Sequence, residues 1–392
     1  MLIGVDATCW ANIRGYGRFA RELMRAMAPL APSDTFACFG DRRSFEAFPD
    51  ALPNVQRIEV ALDESPTRAA AAASSRSPRD LLRLTRAVAR VRPDVFFSPS
   101  VYTYFPLPPR LPAVVTIHDT IPERFPHLTL PSLRARLFWA LKVRVALSQA
   151  RVVLTVSEYS ARSIAAVLRV DPGRIRVAVE APAVAYRPCA PAEVSEAARR
   201  LGLPPDARWF AYVGGFNPHK RVDLILRAHA SLSRAHGADP PHLLLVGSRD
   251  ADVFHQEVGR LDAIVARAGT GSLVHWCGFV PDDELRPLLA GAVASLLPSE
   301  AEGFGLPAVE AAACATPVIA TTESPLPELL AGGGIFVAPG DASALEQAMG
   351  ALLTDRARRD ALGTAAHARA TALSWREAAR ATLDAIQDAA SR

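Results

Sequence analysis

Lysine is almost missing from this chain. Only Lys142 and Lys220 occur among 44 basic residues in a length of 392. Arginine is the default cation, so a lysine kept against that background points to a place that needs a compact charge. Chance persistence is the competing account. Cysteine is scarce as well. Its five residues, Cys9, Cys38, Cys189, Cys277 and Cys314, are scattered and form no CxxC pair. That excludes a disulfide framework and a cysteine-built zinc site. It suits a reducing compartment, so a cytoplasmic location is expected. No apolar run reaches the roughly 18 residues of a transmembrane helix. Met1 leads straight into Leu-Ile-Gly-Val, without the basic stretch and apolar core of a secretory signal.

What is present is a folded composition. Half of the residues are hydrophobic and 21% are charged, which excludes intrinsic disorder. At about 150 residues per domain, the length suggests two or three domains, each able to bury a core. The net charge of +4 is unevenly divided. Residues 1–180 carry 25 Lys and Arg against 16 Asp and Glu, a net of +9. The remainder carries 19 against 24, a net of −5. A basic front half suggests an anionic partner there, either a membrane surface or a phosphate-bearing substrate. Peripheral membrane association therefore stays open. Surface drift towards arginine gives the same asymmetry. No nucleic-acid partner is called for.

Short apolar runs begin at Leu2, Thr35, Val95, Ala113, Val152 and Ile175. Amphipathic stretches at 19–27, 79–91, 133–148 and 160–168 lie between several of them. This alternation predicts a parallel sheet covered on both faces. The rhythm breaks over 181–206, which holds Pro182, Pro188, Pro191, Pro204 and Pro205 and reads as the interdomain connection. It then resumes. Strands are expected at 209–213, 242–246, 274–277, 294–297, 317–320 and 334–337. Helices are expected at 221–235, 252–268, 283–291, 306–314 and 341–353. The chain reads as two doubly wound, Rossmann-like α/β domains, 1–187 and 188–373. A final helix over 375–389 follows, with Ser374 as its N-cap. Residues 64–79 are small, polar and low in complexity, and read as a loop.

Ligands of such sheets bind beyond the carboxyl ends of the strands. The segment EGFGLPAVEAAACATPVIAT, 302–321, follows the strand at 294–297 and opens a helix. Gly303 and Gly305 let backbone amides approach a ligand closely. Pro307 fits the first turn of a helix, and a helix N-terminus is a natural seat for phosphate. Ionised Glu302 and Glu310 only accept hydrogen bonds, which suits sugar or ribose hydroxyls. A glycine-rich turn with Glu310 in solvent is the bland account.

Two glutamates separated by seven residues and enclosing GFGLP resemble the E-x7-E motif of retaining GT-B glycosyltransferases of family 4. The ATPVIAT that follows matches the usual continuation of that family. The resemblance implies a GT-B fold, with two Rossmann-like domains facing each other across a cleft. It assigns Glu302 to the donor sugar and Glu310 to the nucleotide ribose. It places the amides of Gly303, Phe304, Gly305 and Leu306 against the sugar and diphosphate.

Further segments fall in the same register. In YVGGFNPHKRVDLIL, 212–226, Lys220 stands at the mouth of a helix, where a fixed ammonium can neutralise a departing diphosphate. The resemblance gives it that role. Relatives often carry an arginine six residues earlier, where this chain has Gly214. Arg221, or Arg14 and Arg18 from the other domain, are candidates to complete the diphosphate clamp, and Gly215 is expected to bind the donor. In VVTIHDTIPERFP, 114–126, His118 and Asp119 follow a strand. A histidine there can bind a sugar hydroxyl or shuttle a proton, or be satisfied by local backbone. The resemblance has His118 touching the donor sugar and leaves Asp119 undecided. Gly15, Gly17 and Arg18, after the first strand, resemble the family's glycine turn for acceptor or phosphate. Phe279 and Val280 resemble its nucleobase-side loop, and TVSEYSARSI, 155–164, its VSxxS turn. LSWREAA, 373–379, resembles the terminal crossover helix, so 374–392 is expected to pack back on the first domain. One departure is EAPAVAY, 180–186, where relatives often read PNGVD.

Two signals point elsewhere. Asp250-Ala251-Asp252 spells D-x-D, but N-capping of a helix explains it better, and no metal or other cofactor is expected. Residues 133–151 mix Phe138, Trp139 and leucines with Arg134, Arg136, Lys142 and Arg144. Docking on anionic lipid is one reading. A helix packed on the core with a basic face in solvent is the preferred one.

The expected activity is transfer of a hexose, with retention, from a nucleotide sugar to a glycan or lipid-linked acceptor. GDP-mannose is the first donor, a UDP-hexose the second. The alternatives are a sugar-nucleotide 2-epimerase on the same architecture, which would release a free epimer without acceptor, and a non-catalytic GT-B scaffold. A dinucleotide dehydrogenase lacks its full G-x-G-x-x-G here.

Overall fold

The computed structural model describes residues 1–12, 15–63, 77–130, 132–249 and 256–391. Arg14, the D-x-D at 250–252 and most of the low-complexity stretch at 64–79 lie outside them. The chain divides into two compact units, Met1–Glu180 with Ser374–Arg392, and Ala181–Leu373.

The first unit is a seven-stranded parallel sheet. Its strands are β1 (Leu2–Asp6), β2 (Thr35–Gly40), β3 (Val55–Glu59), β4 (Val95–Ser98), β5 (Ala113–Thr116), β6 (Val152–Thr155) and β7 (Ile175–Val177). Their order is β3-β2-β1-β4-β5-β6-β7. β1 thus sits between β2 and β4, with Leu2 opposite Thr35 and Ile3 opposite Val95. β4, β5 and β6 are buried along their whole length. Strands covered on both faces read as continuous apolar runs, which is why they stand out in the sequence. β3 was not anticipated. It is an edge strand of sequence VQRIE with two exposed positions and another at its end, so its hydrophobic signal is weak.

The last helix, Trp375–Ser391, belongs to this unit. It packs on the helix Gly15–Leu30 and across the sheet. The rings of Phe19 and Trp375 are 6.1 Å apart. Arg176 pairs with Asp388 at 2.6 Å, and Arg151 Nη1 donates to the Ala389 carbonyl at 3.0 Å. Ser374 Oγ accepts from Arg376 N at 3.1 Å at its start.

The second unit is a six-stranded parallel sheet. Its strands are β8 (Trp209–Val213), β9 (His242–Val246), β10 (Val274–Gly278), β11 (Ser295–Leu297), β12 (Val318–Thr321) and β13 (Gly334–Val337). The order β10-β9-β8-β11-β12-β13 leaves β8 and β11 as neighbours, paired at Ala211 and Ser295. The chain winds away from that pair in both directions. This is the topological switch point, where the loops leaving β8 and β11 part and a ligand is expected.

The candidate donor site at the switch point of the second unit

The loop after β8 is built for close approach. A Cβ on Gly247 would lie 2.1 Å from the Gly214 carbonyl oxygen, so the ends of β8 and β9 touch backbone to backbone. Gly214 N donates to the Val246 carbonyl at 2.9 Å, and Tyr212 Oη donates to the Gly215 carbonyl at 2.5 Å. The helix begins at Val222, not at Arg221. Lys220 ends a separate 3-10 turn, Pro218–Lys220, closed by Lys220 N on the Asn217 carbonyl at 2.9 Å. Arg221 is left-handed (φ +54°) and breaks the two apart. Pro218 and the helix share no continuous run of turns, so periodicity alone placed the boundary one residue early.

That turn aims Lys220 at the loop after β11. Its Nζ pairs with Glu302 Oε1 at 2.7 Å. Ser299 Oγ donates to the same oxygen at 2.5 Å. Glu302 is buried, and Lys220 is largely so. An ammonium has three N–H donors, and Glu302 takes one, so two remain for another acceptor. Beside this pair, Arg221 is held by Glu300 through Nη1 and by Asp223 at 3.3 Å, while Glu300 N donates to the His219 carbonyl at 2.8 Å. Burial works against the Arg221 charge, but the two carboxylates more than offset it and keep the guanidinium above its ordinary value. Arg221 therefore ties the two loops together. Ser299 and Glu300 were missed in the sequence. Their signal was their position at the end of a buried strand, just ahead of Glu302.

The loop ends at Gly305, which is left-handed (φ +87°) and caps the helix Leu306–Ala313. A Cβ there would lie 2.8 Å from Leu326 Cδ1. Phe304, Gly305 and Leu306 are buried, and among the described residues their amides make no hydrogen bond. Buried amides are ordinarily paired, so three successive open ones at a helix N-terminus mark a place for an anionic acceptor. Glu310 is buried within the same helix. Gly278, at the end of β10, accepts from Gly247 N at 2.8 Å. It leads into exposed Phe279, at 63%, and half-buried Val280. Phe279, Gly247, Gly214, Lys220 and Glu302 thus follow the ends of neighbouring strands β10, β9, β8 and β11 along one edge of the sheet.

The first unit holds the other candidates. His118 follows β5 and is buried. Its Nε2 lies 3.0 Å from the Pro99 carbonyl, which only accepts, so Nε2 carries the proton. Its Nδ1 lies 3.7 Å from Glu180 Oε1, and Phe19 packs edge-on at 4.9 Å. Glu180, the first residue of the departing EAPAVAY segment, is buried and was not anticipated as a partner. Asp119 Oδ1 accepts from Ile121 N at 2.9 Å, a turn that starts a short helix. Gly17 has a local reason: a Cβ there would lie 2.0 Å from the Asn12 carbonyl oxygen. Gly15 is exposed with open space around its Cα, and Arg18 is half-buried on the same turn. Thiol chemistry finds no support, because burial pushes Cys277 up to about 11 and Cys314 up to about 12.

Two parallel, doubly wound units with this arrangement of loops define a glycosyltransferase of GT-B type. The family models agree along the chain: Glycosyl transferases group 1 matches residues 193–369, and Glycosyltransferase Family 4 matches 13–178. The chain belongs to the family 4, group 1 glycosyltransferases. It is 27% identical to O-antigen chain mannosyltransferase B of Escherichia coli over 96% of each chain. Its fold is like that of sucrose-phosphate synthase from Thermosynechococcus elongatus, with TM-score 0.76 and 20% identity over 99% of this chain and 98% of that one. It is also like that of Anabaena HepE, solved with UDP and glucose, with TM-score 0.74 and 16% identity over 99% of both.

Proposed function

We propose that the chain transfers mannose from GDP-mannose to a hydroxyl of a glycan or lipid-linked acceptor, with retention, in cell-surface polysaccharide synthesis. The observation that carries the donor site is the meeting of Lys220 and Glu302 beside three open amides at the switch point. In this reading the base lies by Phe279 and Val280, and Glu310 holds the ribose. The diphosphate meets Lys220 and the amides of Phe304, Gly305 and Leu306, with no metal called for. Glu302 orients the sugar. The bond between the anomeric carbon and the diphosphate oxygen breaks as the acceptor oxygen bonds from the same face. The departing diphosphate takes the acceptor's proton. Fixed positive charge at the leaving group is the main catalytic contribution. The preference for mannose rests on the Escherichia coli relative, which acts as a mannosyltransferase on O-antigen chains. A UDP-hexose is the second donor, and the HepE complex with UDP-glucose favours keeping it under test. We place the enzyme at the cytoplasmic face of a membrane.

The test is incubation with GDP-mannose or UDP-glucose and a lipid-linked glycan, followed by NMR of the product. The reading expects an α-linked mannosyl product from GDP-mannose and none from Lys220→Ala. Transfer from UDP-glucose alone replaces the donor. Release of an epimerised hexose without acceptor turns the reading to an epimerase.

A further inference from the structure

The helix Leu133–Gln149 of the first unit is apolar on two sides. Ala135, Trp139, Val143 and Ala146 face the core. On the opposite side Leu133 is 80% exposed, Leu137 74%, Leu141 57% and Phe138 42%. The four-residue spacing of the leucines makes a single stripe along the helix. The helix packs on the core and holds Arg134 and Arg144 in solvent, as expected, but the leucine stripe beside them was not anticipated. Leucine occupies both the outward stripe and the positions flanking the core, so the pattern gave no clear polar side. The helix also carries Arg134, Arg136, Lys142 and Arg144 and no acid. Arg134 and Arg144 are exposed, and among the described residues neither pairs with a carboxylate. The Arg134 guanidinium lies 5.4 Å from the centre of the Phe138 ring. Glu123 touches the helix on its buried side, where Oε1 accepts from Trp139 Nε1 at 2.6 Å. An apolar cavity of about 560 Å³, reaching Leu130, Val143, Leu147 and Arg169, continues the surface beside Arg144.

We propose that this face docks on an anionic lipid bilayer, with the leucine stripe and Phe138 in the headgroup–acyl boundary and the arginines on lipid phosphates. Exposed leucines interleaved with unpaired arginines, without acids, complement such a surface in both respects. A second copy fits worse, because a twofold contact would set two basic, acid-free helices against each other. Among the described residues no helix is long and apolar enough to cross a membrane, so the contact is at the surface. The inference rests on the membrane-face placement proposed above and gives it a surface.

The full chain is sedimented with phosphatidylcholine vesicles, with or without phosphatidylglycerol, and with no sugar nucleotide present. The expected result is binding that needs phosphatidylglycerol and falls steeply by about 0.5 M salt. The variant L133S/L137S/L141S, at unchanged melting temperature, is expected to lose tenfold or more. R134Q/R144Q is expected to weaken binding at low salt and keeps the test open if the serine variant misfolds. Absence of wild-type binding, or full binding by both variants, overturns the proposal. So does a dimer by light scattering that the serine variant abolishes. Because no donor is present, a negative result leaves glycosyl transfer standing, and failure of GDP-mannose leaves the vesicle result standing.

Discussion

Lys220 and Glu302 join the loops that leave β8 and β11 through an ion pair of 2.7 Å. Replacing Lys220 by alanine removes the charge proposed to meet the diphosphate and leaves Glu302 buried with Ser299 as its side-chain donor. Lys220→Ala is expected to lower kcat/KM by ~10²–10³, the scale of losing a key charge-stabilising donor. Activity within threefold of wild type would contradict that role. Ser299→Ala frees Glu302 on one side only, and a fall of roughly tenfold in kcat/KM is expected, about one hydrogen bond to a charged group. Glu123 provides a pH test away from the site. Burial pushes it up to about 7, against the hydrogen bond from Trp139, and among the described residues its Oε2 finds no partner. The folded state thus holds the proton more tightly than the unfolded chain. Stability from this group is full below its ordinary range and is lost as pH rises through about 7, up to about 3 kcal/mol. Glu123→Gln keeps an acceptor for Trp139 and removes the charge. Its melting temperature is expected to exceed that of wild type increasingly from pH 5 to pH 8, and a constant difference would contradict the assignment.

At the scale of elements, Gly305 connects sequence to site. Its left-handed backbone ends the loop and starts the helix that presents the amides, and Leu326 fills the space a side chain would need. Gly305→Ala is expected to cost about 1–3 kcal/mol in stability and to weaken nucleotide binding with it. Denaturant unfolding and calorimetric titration would check both, and an unchanged nucleotide affinity would separate the amides from the ligand. The buried strands were legible because parallel strands are apolar throughout, and β8, β9 and β13 carry the bounds read from the sequence. β3 was not legible, since an edge strand with exposed Gln56 and Arg57 carries no such signal. The helix Arg356–Ala370, rich in arginine and alanine, was passed over for the same lack of contrast. Glu302 and Lys220 were legible as motif residues, but Ser299, Glu300 and Glu180 were not. Glu300 and Glu180 act through contacts across the chain, with Arg221 and His118, which local spacing does not encode, and Ser299 donates to Glu302 three residues on without any motif to mark it.

At the scale of the molecule, the chain returns to its first unit through its last helix. Trp375 and Asp388 meet residues far back in the sequence, Phe19 and Arg176. A chain ending at Leu373 is expected to expose that face, bind a hydrophobic dye and lose cooperative unfolding of the first unit. Wild-type unfolding of the shortened chain would show that the helix contributes little. The proposed donor site, by contrast, lies in the second unit, and its claim is chemical. The most direct measurement is thermal unfolding with GDP, UDP, ADP and NAD in parallel, for wild type and Lys220→Ala. A ligand at 100 times its Kd adds about 2.7 kcal/mol, well within reach of a melting curve. A shift with GDP that shrinks in Lys220→Ala is the predicted result. A shift with NAD alone, or with no nucleotide, would contradict a donor site built on Lys220, Glu302 and the amides beside them.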